Sequence, residues 1–231
     1  MEPVLFYGIP HGCSFGSIVA LEWLGRPYRL CRIDMLDPVV MKAFARVNPQ
    51  AKTPALLLED GTVLTESLAI LNHLAARDLG RRLTFAQGTA EFDAVNRMMA
   101  FLVTGLFAAF SPGWAAFKLD AGETEKIAFL RGMARGNAAR CYARLEAWLA
   151  DRTWLVGDDR TIADGYLAGI ARWGEDLGLF ALARDYPSLH RHLEKLRADP
   201  AVAFAHAIEE GRDAVASGQF RGEVPLGQLA A

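Results

Sequence analysis

The sequence predicts an α/β domain at the amino end followed by a domain that is helical throughout. Short apolar runs with strand character lie before residue 80, and apolar residues recur at helical spacing from residue 91 onward. Alanine, the strongest helix former, rises from about one residue in ten over 1–80 to about one in five over 81–231. We therefore expect a domain at 1–80, a linker at 81–90 and a helical domain at 91–231.

The first domain has the pattern strand, helix, strand, a loop with helical potential, then two strands and a helix. In chain order these elements are a strand at 4–7, a helix at 18–24, strands at 28–33, 55–58 and 62–64, and a helix at 68–79. Ser14 is a candidate N-cap for the first helix. Asp60-Gly61 predicts a hairpin, because both residues tolerate positive φ.

The second domain is predicted from helical periodicity and caps. Helices are expected at 91–118, with a break at Ser111-Pro112-Gly113, and at 123–150, 187–197 and 200–210. The Thr161-x-x-Asp164 pattern is typical of a helix start. From Gly211 the chain has no periodicity, and we expect a loosely attached tail.

Composition excludes several classes of protein. With 52% hydrophobic and 23% charged residues and a net charge of −2, we expect a soluble globular protein without a nucleic-acid surface. We expect no transmembrane helix and no signal peptide. Three cysteines cannot form a disulfide framework, and no Cys/His spacing indicates a metal site. A reducing cytoplasm is the expected compartment.

Three short segments could carry chemistry. Cys13 precedes the first predicted helix, where free N–H groups and the helix dipole favour an anion; a small buried filler is the alternative interpretation. The Thr53-Pro54 bond, taken alone, is expected to be trans. Glu66 and Ser67 stand at the start of a helix, where a simple cap is the alternative.

Taken together, these pieces resemble the soluble glutathione S-transferase superfamily over nearly the whole chain. The resemblance rests on Asn48-Pro49 through Thr53-Pro54-Ala55-Leu56, Asp60-Gly61, Thr65 through Ile70, and Thr161-Ile162-Ala163-Asp164-Gly165-Tyr166. The start, Phe6 through Ser14, is most similar to the bacterial beta class, which has a cysteine at this position. The resemblance implies a thioredoxin-like α/β domain, an all-α domain and a homodimer.

The resemblance also implies a glutathione site. Pro54 is expected to be cis, so that the Thr53 backbone pairs with the cysteinyl unit. Glu66 and Ser67 are expected to bind the γ-glutamyl end, and Lys52 is a candidate for the glycyl carboxylate or the γ-glutamyl region, with a solvated lysine equally open.

Cys13 and Ser14 are expected to face the glutathione sulfur. Ionising a thiol of pKa near 8.5 at pH 7 takes about 2.7 kcal/mol, which a helix dipole of about 0.3–1 kcal/mol and one charge-assisted hydrogen bond of about 1.5–3 kcal/mol supply together. The donor is open between Cys13, Ser14 and a backbone N–H, and a mixed disulfide at Cys13 is a further alternative. Tyr7 is a weaker rival activator.

The resemblance places a second, hydrophobic pocket at Pro10, His11, Phe107 and Trp114, with Phe110 and Phe117 as weaker candidates. Phe107 and Ala108 replace a polar His-Lys pair of the beta class, which makes this pocket more apolar. The implied function is a detoxification-type transferase that conjugates glutathione, its co-substrate, to small hydrophobic electrophiles without a metal. The alternatives are thiol-disulfide exchange or deglutathionylation through Cys13, and non-catalytic binding of glutathione or hydrophobic ligands.

Overall fold

The computed structural model describes residues 2–80 and 82–229, and it confirms the two-part fold. Arg81, at the start of the expected linker, and the outermost residues of both expected domains lie outside the described residues. The elements of the first domain are β1 (Val4–Ile9), α1 (Phe15–Leu24), β2 (Pro27–Asp34), α2 (Pro38–Phe44), β3 (Ala55–Leu57), β4 (Val63–Thr65) and α3 (Ser67–Ala76). Strand β1 runs parallel to β2 and antiparallel to β3, and β3 pairs with β4 through the predicted hairpin. The domain is thioredoxin-like, as predicted.

The second domain is helical in the predicted places. Its elements are α4 (Ala90–Ala100), a π-helical segment (Phe101–Phe107), α5 (Ser111–Phe117), α6 (Thr124–Leu149), α7 (Ile162–Ile170), α8 (Trp173–Asp176), α9 (Leu182–Asp185), α10 (Pro187–Arg197) and α11 (Pro200–Glu210). The expected break near Ser111-Pro112 falls where α5 begins. The π-helical segment and the short helices α8 and α9 were not predicted.

Helix α7, whose start at Thr161 was predicted, packs the second domain against the first. Asp164 is fully buried, and its carboxylate accepts hydrogen bonds from the backbone N–H groups of Thr161 and Leu155, at 2.9 and 3.1 Å. Helix α7, which starts here, packs against α1 so closely that a Cβ on Gly16 would lie 2.7 Å from Cα of Tyr166. This packing fixes α1, and with it the loop that carries Cys13.

The expectation of a loose tail is wrong. Residues Gln219–Glu223 form β5, which pairs in parallel with β2 and gives the sheet order β4-β3-β1-β2-β5. The buried carboxylate of Glu22 accepts hydrogen bonds from the backbone N–H groups of Ser217 and Gly218, at 2.6 and 2.7 Å. The tail therefore belongs to the first domain, and the helical domain ends before it.

The expectation of no transmembrane helix stays a prediction, because one helical stretch of the second domain is long and uncharged. Residues 98–117 carry no charge, and the continuous helical stretch Ala90–Phe117 is long and apolar enough to cross a membrane by length and composition alone. One third of its most apolar window is buried inside the chain. Its last part, α5, packs against α6.

Candidate functional site

The loop at 9–14 places Cys13 at the amino end of α1. The Ile9-Pro10 bond is cis, His11 has a φ of 49°, and the Trp173 indole donates to the His11 carbonyl at 2.9 Å. The loop is therefore held from both domains. Cys13 is partly buried, and its S–H donates to the Thr53 carbonyl across 3.5 Å.

Two further segments converge on Cys13. The Thr53-Pro54 bond is cis, as the resemblance implied and against the expectation from the dipeptide alone. Asn48 donates from its side-chain amide to the Lys52 carbonyl at 2.7 Å, which holds this turn. Ser67, the first residue of α3, donates from its hydroxyl to the Cys13 sulfur across 3.6 Å.

A polar cavity of about 310 Å³ lies between these segments. It brings together Cys13 and all of the residues expected to bind glutathione, which are Lys52, Thr53, Pro54, Glu66 and Ser67. Glu66 has a φ of 72°, so it sits in a sharp bend directly before α3. A bend that leads into a helix N-terminus presents both the carboxylate and the free N–H groups of the first helical turn to this space.

A second, apolar cavity of about 350 Å³ adjoins the first. Its walls contain the four residues expected there, which are Pro10, His11, Phe107 and Trp114. Phe117 and Trp173 also line it, whereas Phe110 is fully buried in the core against Tyr142 and does not. Cys13, Lys52, Thr53 and Phe107 line both cavities.

Ser14 and Tyr7 do not face either cavity. Ser14 is fully buried, and its hydroxyl accepts a hydrogen bond from the Gly8 N–H at 3.0 Å. The structure thus separates Ser14 from the expected place beside the sulfur. Tyr7 is fully buried and donates to the Glu223 carboxylate at 2.6 Å, which does not favour the rival role for Tyr7.

The Cys13 thiol is not pre-ionised in this site. Burial raises the pKa of Cys13 to about 11; the Ser67 hydroxyl lowers this pKa, and the nearby charges of Glu209 and Glu66 raise it. The helix N-terminus was expected to favour an anion here, but desolvation outweighs it because the dipole contributes only about 0.3–1 kcal/mol. At pH 7 Cys13 is therefore a neutral S–H group that can donate a hydrogen bond.

Three residues near the site were missed from the sequence. Tyr166 lines the polar cavity beside Ser67, Trp173 lines the apolar one, and Asp176 contacts His11. Tyr166 is the last residue of the segment Thr161 to Tyr166 that carries the family resemblance, and that position was the one available signal. Trp173 and Asp176 lie on α8, a helix of four residues with no periodicity to reveal it.

Two other observations concern a separate groove and metal binding. A groove of about 930 Å³ lies where the amino end of β1, the carboxyl end of α1 and the carboxyl end of α3 meet. Cys13 does not line it, and its walls combine leucines with charged residues such as Arg29 and Arg77. Within the described residues, no group of three or more His, Cys, Asp or Glu side chains is placed to hold a metal ion.

Comparisons with known proteins agree with this geometry. The chain matches the glutathione S-transferase N-terminal domain over residues 13–77 and the C-terminal domain over residues 96–200. It is 30% identical to glutathione S-transferase GstA of Escherichia coli O157:H7, over 73% of this chain and 81% of that protein. It is 34% identical to glutathione S-transferase GST-4.5 of Xanthomonas campestris pv. campestris, over 75% and 83%. A sphingomonad glutathione S-transferase solved with glutathione superposes with a TM-score of 0.77 at 27% identity, covering 90% of this chain and 98% of that one.

Proposed function

Because this chain belongs to the glutathione S-transferase superfamily, we propose that it conjugates glutathione to small hydrophobic electrophiles. One observation carries the proposal: Cys13 and Thr53 line both the polar and the apolar cavity. A thiol bound beside them meets an electrophile held among aromatic side chains. Two ligands bound on either side of such a wall have their reacting atoms held close together, which lowers the entropic cost of the reaction.

Glutathione occupies the polar cavity in this proposal. The Thr53 backbone, exposed beside the cis Pro54, pairs with the cysteinyl unit. The Glu66 carboxylate takes the γ-glutamyl ammonium, while Ser67 and the first turn of α3 take the γ-glutamyl carboxylate. Lys52 lines the cavity, where its ammonium suits the glycyl carboxylate.

Cys13 acts as a hydrogen-bond donor to the glutathione thiolate. Because its own pKa is raised to about 11, it keeps its proton while the thiol of glutathione, with a pKa near 8.5, ionises. A neutral thiol is a poor nucleophile, so this arrangement favours conjugation over thiol-disulfide exchange through Cys13. Ser14, turned to the Gly8 N–H, takes no part.

The test is the ultraviolet absorbance of thiolate in bound glutathione, followed across pH for the wild type, Cys13→Ala and Ser14→Ala. We expect a bound-thiol pKa at least one unit below that of free glutathione in the wild type. Cys13→Ala should lose most of this shift, and Ser14→Ala should retain it. An unshifted pKa in the wild type would point to the non-catalytic binding protein instead, and no binding would refute a glutathione site.

We further propose a symmetric homodimer in the cytoplasm. The support for the dimer is membership of the glutathione S-transferase superfamily, whose soluble members generally pair as symmetric dimers. Light scattering on the purified protein should give twice the mass of the 25.3 kDa chain. A monomer at micromolar concentration would contradict the dimer and leave the active-site assignment standing.

A further inference from the structure

His11 and Asp176 form a pair at the mouth of the apolar cavity. Nδ1 of His11 lies 3.1 Å from an Asp176 carboxylate oxygen. The imidazole stacks on the Trp114 indole, with 6.3 Å between ring centroids and 27° between planes. The Trp173 indole holds the His11 backbone carbonyl. Three contacts from the helical domain thus orient one imidazole of the first domain.

The imidazole is placed to reach a bound electrophile. His11 and Cys13 both line the apolar cavity and are separated by one residue, so their backbones are within about 7 Å of each other. Asp176 pairs with Nδ1, so Nε2 is the ring nitrogen that remains for a ligand; among the described residues no hydrogen bond to Nε2 is found. The side chain is 45% exposed, so water can return a proton to it.

The charges around His11 favour its protonated form. The hydrogen bond with Asp176, on α8, raises the pKa of His11 above its usual 6.5, partial burial lowers it, and the charge of Asp176 raises it further. Arg172 lowers this pKa, and Glu209, on α11, raises it; these two are paired with each other, so their effects on His11 partly cancel. Lys118 also borders the cavity. The hydrogen bond with Asp176 thus stabilises the imidazolium form of His11.

We propose that His11, oriented by Asp176, is the acid that protonates the carbonyl oxygen of an α,β-unsaturated carbonyl substrate. The inference rests on the proposed function and assigns to His11 a role towards one kind of electrophile, apolar enones and enals. The walls of the cavity are aromatic and cannot solvate the negative charge that grows on such an oxygen. A cationic N–H placed at the oxygen stabilises that charge as it forms.

The addition uses the glutathione thiolate, the enone and the proton on His11. The glutathione thiolate forms a bond from sulfur to the β-carbon, and the π electrons of the C=C bond move towards the carbonyl oxygen. Nε2–H of His11 gives its proton to that oxygen, which yields an enol and a neutral imidazole. The enol tautomerises to the saturated carbonyl product, and His11 regains a proton from water. No oxidant or leaving group takes part.

The test compares kcat/KM for phenylbutenone, an enone, with kcat/KM for chlorodinitrobenzene, whose chloride leaves without a proton. The variants are His11→Asn and Asp176→Asn, and the control is His190→Asn on α10. Asparagine is chosen because it tolerates the φ of 49° at position 11 better than most residues. Far-ultraviolet circular dichroism and glutathione affinity establish that each variant is folded.

We expect His11→Asn to lower kcat/KM for the enone about 10²-fold more than for the aryl chloride, the lower end for general acid catalysis, and mainly through kcat. In the wild type the enone rate should fall as pH rises through the His11 pKa, since the acid form is lost. In Asp176→Asn this fall should move to lower pH. His190→Asn should match the wild type.

A relative loss of less than tenfold for His11→Asn, or an enone pH profile that Asp176→Asn does not move, would overturn the role of His11. If the wild type conjugates chlorodinitrobenzene but His11→Asn fails this criterion, the transferase assignment stands and the acid alone is wrong. If the wild type neither binds glutathione nor conjugates either probe, both proposals are overturned.

Discussion

Replacing Glu22 with alanine should release the tail and destabilise the protein. Glu22 lies on α1 and is 3% exposed, yet its carboxylate accepts hydrogen bonds from the backbone and hydroxyl of Ser217, from the backbone of Gly218 and from the hydroxyl of Tyr28. Tyr28 is fully buried. The approach is close: a Cβ on Gly218 would lie 2.7 Å from the Glu22 carbonyl oxygen.

The loss in the free energy of unfolding depends on whether each hydrogen-bond donor can bind water once the Glu22 carboxylate is removed. The Tyr28 hydroxyl has no access to water and is left unpaired, which costs about 1–3 kcal/mol. The two tail N–H groups are near the surface and can bind water, so each lost bond costs about 0.5–1.5 kcal/mol. We expect a loss of about 3 kcal/mol in the free energy of unfolding, or about 6–12 °C in Tm for a chain of this size.

Urea unfolding and limited trypsin digestion measure the two consequences separately. Trypsin should cut after Arg221, within β5, faster in Glu22→Ala than in the wild type. Glu59→Ala, at an exposed carboxylate, is the matched control and should change neither. In a Tyr28→Phe background the cost of Glu22→Ala should shrink by about 1–2 kcal/mol. A loss below 1 kcal/mol, with unchanged cleavage at Arg221, would refute the reasoning.

Three further results are expected. Iodoacetamide should alkylate Cys13 slowly at pH 7 and faster as pH rises towards its pKa of about 11, because only the thiolate reacts; rapid alkylation at pH 7, read by mass spectrometry, would contradict the neutral thiol. Ser67→Ala should weaken glutathione binding by about 2–10-fold in calorimetry. Trp114→Ala should raise KM for the electrophile and leave glutathione binding unchanged. If either variant weakened the binding of both ligands, that result would argue against two separate cavities. Asp164→Ala should cost about 2–4 kcal/mol in urea unfolding, since it removes the acceptor for Thr161 and Leu155, and a smaller loss would show that water replaces the cap.

The elements that could be predicted carry their signals locally. Thr161 and Asp164 cap their own helix, and Asp60-Gly61 turns its own hairpin, so the sequence around them suffices. Strand β5 has one apolar residue, Phe220, in five, and its strand character depends on the free edge of β2. A partner strand that lies more than 190 residues earlier in the chain leaves no periodicity near Gln219.

Side-chain positions in the site also depend on residues that are distant in the sequence. The segment from Lys52 to Ser67 was located because the family resemblance fixes its order, and the cavity then brings its members together. Ser14 was expected beside the sulfur because it follows Cys13 in the chain. Its hydroxyl instead accepts a hydrogen bond from the Gly8 N–H at the end of β1, a contact that no local sequence pattern indicates. The role of Asp176 could not be predicted either, because its partner His11 lies in the other domain.

Strand β5 also sets an order of events during synthesis. The ribosome makes residues 219–223 after the whole helical domain, so β2 emerges and waits with an unpaired edge while about 185 residues follow it. A nascent sheet with an open edge is a template for pairing with other chains. The β2 edge is thus closed late, and the first domain reaches its final form only after the second has been made. Expression of residues 1–80 alone would leave that edge permanently open.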